Sequence, residues 1–276
     1  MKLSKRSIGA ILFALVFSTP VFAKQSLSIP GTEAFTPLLV DLARAYNASQ
    51  SEIKVDIPEP VGSRGGIKDV VSGKSSLAAV SRPLKQRERD KNLVYRPFAM
   101  SQIVFVINPK VTGVERLTKE QVLAIYSGKI TNWREVGGPD QKIYPITRDA
   151  GSTLKALVKG FPEFGALENK VAKQSFNSQQ SVDLVAQYDY TITYAPLGLV
   201  KGTGLKVVEV EGVSSAELNL WNSGTQLPLI YGLVHRADPS EDVLKFLRFL
   251  ATPEAHEVMH QHGARPVDVL AVEGAQ

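Results

Sequence analysis

The sequence predicts an α/β fold arranged in two lobes. Strand and helix patterns alternate from residue 26 to the end of the chain, as they do where helices cover a largely parallel sheet. The 276 residues fit two domains or one large one, and a hydrophobic content of 43% suits folded cores. Two uninterrupted apolar runs, at residues 103–107 and 229–234, are typical of strands buried on both faces. They indicate where the chain crosses to the second lobe and where it returns.

The N-terminal segment, residues 1–23, has the pattern of a secretory signal peptide. Lys2, Lys5 and Arg6 precede an apolar core at residues 8–17, and small residues lead up to the Ala23-Lys24 bond. The apolar core is shorter than a membrane anchor, which requires about 20 residues. We therefore expect cleavage near Ala23-Lys24 and export of the mature chain to the periplasm.

Composition excludes several classes of function. The chain has no cysteine, which rules out a lipoprotein anchor, structural disulfides and thiolate chemistry. The formal net charge is +5, and removal of the three basic residues of the signal peptide leaves +2. A charge this small and dispersed does not form a nucleic-acid surface, so we expect no nucleic-acid partner.

In the first lobe, the elements follow from local patterns. Thr36 and Pro37 are predicted to open a helix, with Thr36 as the N-cap and Pro37 at the first helical position. A second, short helix is predicted at residues 67–72. Strands are predicted at residues 26–29, 53–57 and 77–80.

In the second lobe, the pair Thr118 and Gln121 forms a capping box. It predicts a helix over residues 119–126, which Gly128 ends. The remaining predicted strands lie at residues 143–147, 191–194 and 206–210. The remaining predicted helices lie at residues 154–159, 181–188, 240–250 and 252–262, the last two after the chain has returned to the first lobe.

Three segments share a plan that suits an anion. Residues 30–37, 61–67 and 148–154 each run from an extended stretch through a turn of small residues into a helix. A helix N-terminus carries unpaired N–H donors and a partial positive charge. Guanidinium groups, which bind oxyanions with two parallel donors, stand at or near strand ends at Arg64, Arg82 and Arg148. The pattern predicts an oxyanion site.

These segments resemble the ligand loops of the phosphate-binding proteins of phosphate ABC transporters. Residues 31–37 (GTEAFTP) are similar to the first loop, and residues 62–68 (GSRGGIK) to the second. The most specific match is residues 117–133, and Arg148 with residues 151–153 resembles the arginine and Gly-Ser-Gly-Thr loop. Segments 81–85, 192–197 and 264–267 also fit in order and spacing. The resemblance covers nearly the whole mature chain.

The resemblance implies a two-lobed type II periplasmic binding protein, in which each lobe is a mixed or parallel sheet flanked by helices. The ligand cleft would lie between lobe one, residues 24–105 and 228–276, and lobe two, residues 106–227. The implied function is capture of inorganic phosphate, or a similar tetrahedral oxyanion, for an ABC permease. We expect a monomer that is not an enzyme and uses no metal or cofactor. The implied ligand contacts are Glu33 and Ala34, largely through backbone N–H groups, and Ser63, Arg82, Arg148, Gly151, Ser152 and Thr153.

Three positions depart from the family pattern. Arg82 stands where some members have an aspartate that accepts a hydrogen bond from the proton of phosphate, and Glu33 stands where the family has serine or threonine. Residues 151–154 lack the second glycine of the loop. We hypothesise that Glu33 replaces the missing acceptor. For Arg82 an ion pair with a carboxylate such as Glu88 is the structural alternative.

Two other functions fit parts of the sequence. Residues 256–260 (HEVMH) match the zincin pattern, in which two histidines one helical turn apart hold zinc. A catalytic zinc needs a third protein ligand, and few residues follow His260, so a zinc metalloprotease is a distant alternative. The nearer alternative is a binding protein that senses or scavenges phosphate without coupling to transport.

Overall fold

A computed structural model of the chain describes residues 25–148, 152–167, 171–211 and 228–270. The predicted signal peptide, residues 1–23, and the predicted contact Gly151 lie outside the described residues. Within the described residues, we find no helix that combines the length and the hydrophobicity of a membrane span.

The first part of the chain alternates strands and helices and ends in one long strand. Its elements are β1 (Gln25–Ser28), α1 (Thr36–Ser49), β2 (Ile53–Asp56), α2 (Gly62–Val71), β3 (Leu77–Val80), α3 (Gln86–Arg89) and β4 (Leu93–Ile107).

The second part forms the other lobe and contains a 3-10 turn at Trp133–Val136. Its elements are β5 (Arg116–Leu117), α4 (Lys119–Tyr126), β6 (Tyr144–Arg148), α5 (Ser152–Gly160), α6 (Pro162–Gly165), β7 (Lys173–Ser175), α7 (Ser178–Gln187), β8 (Thr191–Pro196), α8 (Leu197–Val200) and β9 (Lys206–Val210). The return to the first lobe consists of β10 (Pro228–Arg236), α9 (Glu241–Leu250), α10 (Pro253–Gln261) and β11 (Arg265–Pro266).

The long strand β4 belongs to both lobes. Residues 93–102 pair antiparallel with β10, and residues 103–107 pair antiparallel with β8. The strand order of the main sheet is β3-β10-β4-β8-β6-β7. Strands β6 and β8 are parallel, so the sheet is mixed, as the fold class implied. The parallel pair β1–β2 continues toward this sheet through a bridge between Gly31 and Ala79.

Separate hydrophobic clusters fill the two lobes. In lobe one the ring of Phe35 stacks on Tyr231 and meets the edge of Phe98. In lobe two, Phe164 packs edge to face against Tyr126 and Tyr194. Buried residues up to position 99 belong to the lobe-one clusters, and those from 103 to 210 belong to the lobe-two clusters. The exact lobe limits at residues 105 and 228 stay a prediction, although residues 103–105 already pack in the lobe-two clusters.

Most predicted elements are present, and the differences have physical reasons. Helix α2 begins at Gly62, five residues before the predicted start, because its N-cap is Val61, a residue type that gives no capping signal. Strand β4 begins ten residues before the predicted run. Its first half contains Pro97, which lies next to a register shift opposite Gly232, where the sheet tolerates proline.

The capping residues of two helices show one confirmed and one wrong prediction. The Thr118 hydroxyl accepts from the Gln121 N–H, and the Gln121 side chain accepts from the Thr118 N–H, as the capping box predicted. The prediction for α1 was wrong by one residue: Phe35 is the N-cap and Thr36 is the first helical residue. The Thr36 hydroxyl donates instead to the carbonyl of Thr32, at 3.3 Å.

Candidate functional site

A glycine brings the loop after β1 against the end of β3. A Cβ atom on Gly31 would lie 2.0 Å from the carbonyl oxygen of Ala79, so no larger residue fits there. The Gly31 carbonyl accepts from the Val61 N–H, and the Thr32 N–H donates to the Ala79 carbonyl, both at 3.0 Å. These bonds hold residues 31–35 beside the N-terminus of α2.

Three hydroxyl groups from three segments of lobe one meet at this point. The Oγ1 atom of Thr32 lies 3.1 Å from the Oγ atom of Ser81, and Ser63 Oγ lies 3.5 Å from the same atom. Ser63 also accepts from the Ser81 N–H at 3.2 Å. Ser63 is in the first turn of α2, whose N-cap Val61 offers no side-chain acceptor to the N–H groups of that turn. The cluster is therefore rich in donors for an anion.

Arg82 follows this cluster but is engaged by a carboxylate. Its Nη1 and Nη2 atoms donate to the two carboxylate oxygens of Glu88 at 2.7 and 2.8 Å. Mainly because of the hydrogen bonds from Arg82, the pKa of Glu88 lies below its ordinary value. The pair is the structural alternative foreseen for Arg82, and a contact between Arg82 and a ligand stays a prediction. Arg64 is exposed.

The corresponding cluster of lobe two surrounds Arg148, at the end of β6. The Nη1 atom of Arg148 donates to Ser178 Oγ at 2.7 Å and to Thr153 Oγ1 at 3.3 Å. Those two hydroxyl oxygens lie 3.0 Å apart. The Arg148 side chain is only 5% exposed, and Thr153 and Ser178 are fully buried. Thr153 lies in the first turn of α5 and Ser178 in that of α7, so two helix N-termini adjoin one guanidinium.

A buried tyrosine of β8 contacts the backbone of Arg148 and the side chain before it. The Tyr194 hydroxyl lies 3.0 Å from Thr147 Oγ1 and accepts from the Arg148 N–H at 3.5 Å. Burial is the main cause that raises the pKa of Tyr194, which keeps its hydroxyl neutral in the physiological range. The end of β6 is thereby fixed by side chains of β8.

An ion pair joins the two lobes at these clusters. The Arg148 Nη2 atom lies 3.0 Å from Glu33 Oε1, and the Glu33 side chain is 21% exposed. Glu33 belongs to the lobe-one loop between β1 and α1. The Nε atom of Arg148 is buried and has no hydrogen-bond partner among the described residues. Burial of a charged donor without a hydrogen-bond partner is destabilising, and a ligand that accepts from Nε would remove that penalty.

The structure brings several predicted contacts together. Glu33, Arg148 and Thr153 share one cluster, and Ser63 lies in the lobe-one cluster of hydroxyl groups. Ala34 is buried, and its N–H donates to Thr32 Oγ1 at 3.3 Å. Ser152 is the first residue of α5. Whether each of these residues touches a ligand stays a prediction.

Three residues of the two polar clusters were not among the predicted ligand contacts: Thr32, Ser81 and Ser178. Thr32 and Ser81 lie within segments that carried the resemblance, so the signal was present but was assigned to their neighbours. The signal for Ser178 is Asn177 just before it, a strong N-cap residue type, which here accepts from the Gln180 N–H at 2.8 Å. The predicted start of α7, at residue 181, was three residues late.

The zincin pattern lies on α10 of lobe one, a different element from those that surround Arg148. Met259, between the two histidines of the pattern, is buried in the lobe-one core, while His260 is exposed. Nearby, His262 Nε2 lies 2.8 Å from Asp41 Oδ2 of α1. Among the described residues no group of three or more histidine, aspartate or glutamate side chains could hold a metal ion.

A separate cavity of about 600 Å³ lies within lobe two. Its walls come from the end of α4, strands β6 and β7, and α7, and include Ile125, Tyr144, Val171, Leu184 and Tyr188. The residues of the Arg148 and Ser63 clusters are not among its lining residues. The polar clusters at the lobe boundary are thus distinct from this largely apolar cavity.

A mixed α/β sheet shared by two lobes, with donors from both lobes at their boundary, defines a two-lobed binding protein. The family model for the PBP superfamily domain matches residues 19–254. The chain therefore belongs to the PBP superfamily.

Comparison with individual proteins shows which members of the superfamily the chain is similar to. The phosphate-binding protein PstS of Borreliella burgdorferi is 24% identical over 253 residues, covering 86% of this chain and 88% of that protein. The structure of a putative phosphate ABC transporter substrate-binding protein from Clostridium perfringens, with bound phosphate, is 26% identical and has a TM-score of 0.75. An ABC-type phosphate transport receptor from Vibrio cholerae is 25% identical with a TM-score of 0.64. Each of these two structural comparisons covers 88% of this chain and 100% of the solved chain. The resemblance to phosphate-binding proteins inferred from the sequence is confirmed.

Proposed function

We propose that this chain is an exported solute-binding protein that captures inorganic phosphate, or a similar tetrahedral oxyanion, for an ABC permease. The observation that carries the proposal is the buried guanidinium of Arg148, which has hydroxyl partners on one side and, on the other, an Nε donor without a partner among the described residues. The relatives named above, which are phosphate-binding proteins, support the choice of ligand.

The chemistry of the two clusters matches an oxyanion. The hydroxyl groups belong to lobe one and the Arg148 guanidinium to lobe two. The Glu33–Arg148 ion pair spans the boundary between the two lobes. The helix N-termini of α2, α5 and α7 add oriented N–H groups with a partial positive charge. Because the Arg148 side chain is removed from water, its hydrogen bonds to an anion are strong and weakly screened.

The proposed contact set comes from both lobes. Lobe one would supply the N–H groups of Glu33 and Ala34, the hydroxyl of Ser63 and the guanidinium of Arg82. Lobe two would supply Arg148, Thr153 and the first turn of α5 with Gly151 and Ser152. Since donors of both lobes are satisfied only when they face the same anion, binding stabilises the closed arrangement. No covalent step is involved.

The same proposal includes the cellular setting. The matching family model and the relatives support a protein that works outside the cytoplasmic membrane, and the signal-peptide pattern at residues 1–23 supports the periplasm. We expect the mature chain to act as a monomer. Fractionation of cells that express the full chain tests the location, and light scattering of the purified protein tests the monomer.

Calorimetry tests the function. Protein stripped of phosphate by unfolding and refolding is titrated with phosphate, arsenate, sulfate and molybdate. We expect one site per chain, filled by phosphate and arsenate, with sulfate and molybdate binding much more weakly. Heat for molybdate or sulfate but not for phosphate would refute the proposed ligand, and no heat for any of the four anions would refute capture of tetrahedral oxyanions.

A further inference from the structure

One edge of the Arg148 guanidinium is only half used. The Nε–H group and one N–H of Nη2 point the same way and can bind two oxygens of the same anion side by side. Here Nη2 has the Glu33 carboxylate at 3.0 Å, while Nε is buried with no hydrogen-bond partner among the described residues. Nη1 on the opposite side is occupied by Ser178 and Thr153. The half-used edge is therefore the one available to a ligand.

The group on that edge comes from the other lobe. Glu33 lies in the loop that Gly31 presses against Ala79, and this loop also carries the Thr32 hydroxyl. Its carboxylate reaches across the lobe boundary to an arginine that is 5% exposed. Because Arg82 is matched by Glu88 as well, each of these two arginines already has a carboxylate partner in the chain. An entering anion therefore meets two arginines whose charges are already paired.

We propose that Glu33 is an intramolecular substitute for the anion. It occupies part of the ligand's place on Arg148, holds the two lobes together when no ligand is bound, and must be displaced from Nη2 when an oxyanion enters. The inference rests on the proposed function, since the ligand is the anion that Arg148 binds. It adds to that function a carboxylate, Glu33, that competes with the ligand for Arg148.

This exchange has two consequences. The ion pair stabilises only the ligand-free chain, so it lowers the affinity for every anion that needs the same edge. An oxyanion nevertheless prevails because it supplies two oxygens to the edge, including one for Nε. The carboxylate then returns to Nη2 when the anion leaves, which favours release.

The test uses the substitution Glu33→Gln in the mature protein, with Glu59→Gln as the control. Glu59 is an exposed glutamate of the same lobe, four residues before Ser63, so its substitution removes the same charge without touching Arg148. Small-angle X-ray scattering of phosphate-stripped and phosphate-saturated protein measures lobe closure. Calorimetry with inorganic phosphate measures affinity.

We expect the wild-type protein and Glu59→Gln to have the same radius of gyration with and without phosphate. The Glu33→Gln protein should be more extended when stripped, should contract on adding phosphate, and should bind phosphate about tenfold tighter than the wild type. The absence of either change in Glu33→Gln would overturn the inference. A wild-type protein that binds no phosphate would refute the proposed function, and the scattering of the stripped proteins would still decide whether the ion pair holds the lobes together.

Discussion

The Nη1 atom of Arg148 donates a 2.7 Å hydrogen bond to the hydroxyl of Ser178, which ties the end of β6 to the first turn of α7. Thr153 in the first turn of α5 accepts from the same nitrogen atom at 3.3 Å. Two helices thus fix the orientation of one guanidinium. With Nη1 held in this way, the Nη2 atom on the other edge of the guanidinium faces Glu33 of lobe one.

The first prediction concerns this orientation. Ser178→Ala removes the shorter of the two bonds to Nη1 and leaves a buried charged donor less well satisfied. We expect phosphate to bind about tenfold more weakly, the equivalent of about 1.4 kcal/mol, measured by calorimetry. Ser72→Ala, at an exposed serine at the end of α2, is the control and should bind like the wild type. Equal affinities for Ser178→Ala and the control would show that Ser178 does not position Arg148.

The second prediction concerns selectivity and the hypothesis that Glu33 accepts the proton of the ligand. Phosphate near neutral pH carries a proton that a carboxylate can accept, whereas sulfate carries none. The amide introduced by Glu33→Gln offers sulfate an N–H donor in place of a negative charge and still offers phosphate a carbonyl acceptor. We expect the affinity for sulfate to rise more than that for phosphate, so that the ratio of the two dissociation constants changes by about tenfold or more.

Calorimetry with both anions checks this ratio. If sulfate binds Glu33→Gln no better than it binds the parent protein, the acceptor hypothesis is wrong. An equal rise for both anions would leave Glu33 as a competitor for Arg148 without a role in selectivity.

The third prediction concerns the stability of the Arg82–Glu88 pair. Glu88→Gln should lower the free energy of unfolding by about 1–3 kcal/mol at neutral pH, because Glu88 is buried and the guanidinium loses a charged partner. The pKa of Glu88 is lowered in the folded chain, so its contribution is complete above the ordinary pKa of a glutamate and is lost as the pH falls through the lowered value. Urea unfolding at several pH values should show the two proteins converging in acid.

A surface pair supplies the control for Glu88. The Oε2 atom of Glu209 lies 3.1 Å from Nη2 of Arg116, and both side chains are exposed. Glu209→Gln should therefore lower the free energy of unfolding by less than about 1 kcal/mol. If Glu88→Gln lowers the free energy of unfolding no more than Glu209→Gln does, the ion pair of Arg82 and Glu88 does not stabilise the fold.

The fourth prediction concerns a buried histidine of lobe one. His235 on β10 accepts from Arg96 Nε through its Nε2 atom at 3.4 Å, which leaves its Nδ1–H group to donate to the Arg236 carbonyl. Burial is the main cause that lowers the pKa of His235. The unfolded chain therefore binds the proton more readily, and stability is lost as the pH falls below the ordinary pKa of histidine, about 6.5, by at most about 1.4 kcal/mol per pH unit.

Thermal unfolding as a function of pH measures this effect. As the pH is lowered below the ordinary pKa of histidine, the unfolding midpoint of the wild-type protein should fall more steeply than that of His235→Asn, which cannot titrate. Parallel curves for the two proteins would mean that His235 keeps its ordinary proton affinity in the folded chain.

The structural features that could be predicted from the sequence are those that depend on a few neighbouring residues. The capping box of Thr118 and Gln121 is a local hydrogen-bond pattern, and α4 begins and ends where it was predicted. Strand β9 has the predicted limits because three of its five residues are valine, a β-branched residue that favours strands. The segment with Ser63 was placed correctly beside a helix N-terminus, although the helix starts earlier than predicted.

The features that could not be predicted depend on distances between remote segments. Gly31 gives no sign in the sequence that Ala79 lies against it. The charges of Glu33 and Arg148 were visible, but their contact depends on how two lobes close, which no local pattern encodes. For Arg82, two partners were compatible with the sequence, and only the fold shows that Glu88 holds both of its terminal nitrogen atoms.

Anion capture between the lobes is tested most directly by a crystal structure of the phosphate-stripped protein after addition of inorganic phosphate. We expect one phosphate ion between the lobes, with oxygens within hydrogen-bonding distance of Arg148 Nε and of Ser63, and with Glu33 no longer on Nη2. A phosphate ion bound elsewhere, or an Arg148 guanidinium that keeps Glu33 and has no contact with the anion, would contradict this expectation.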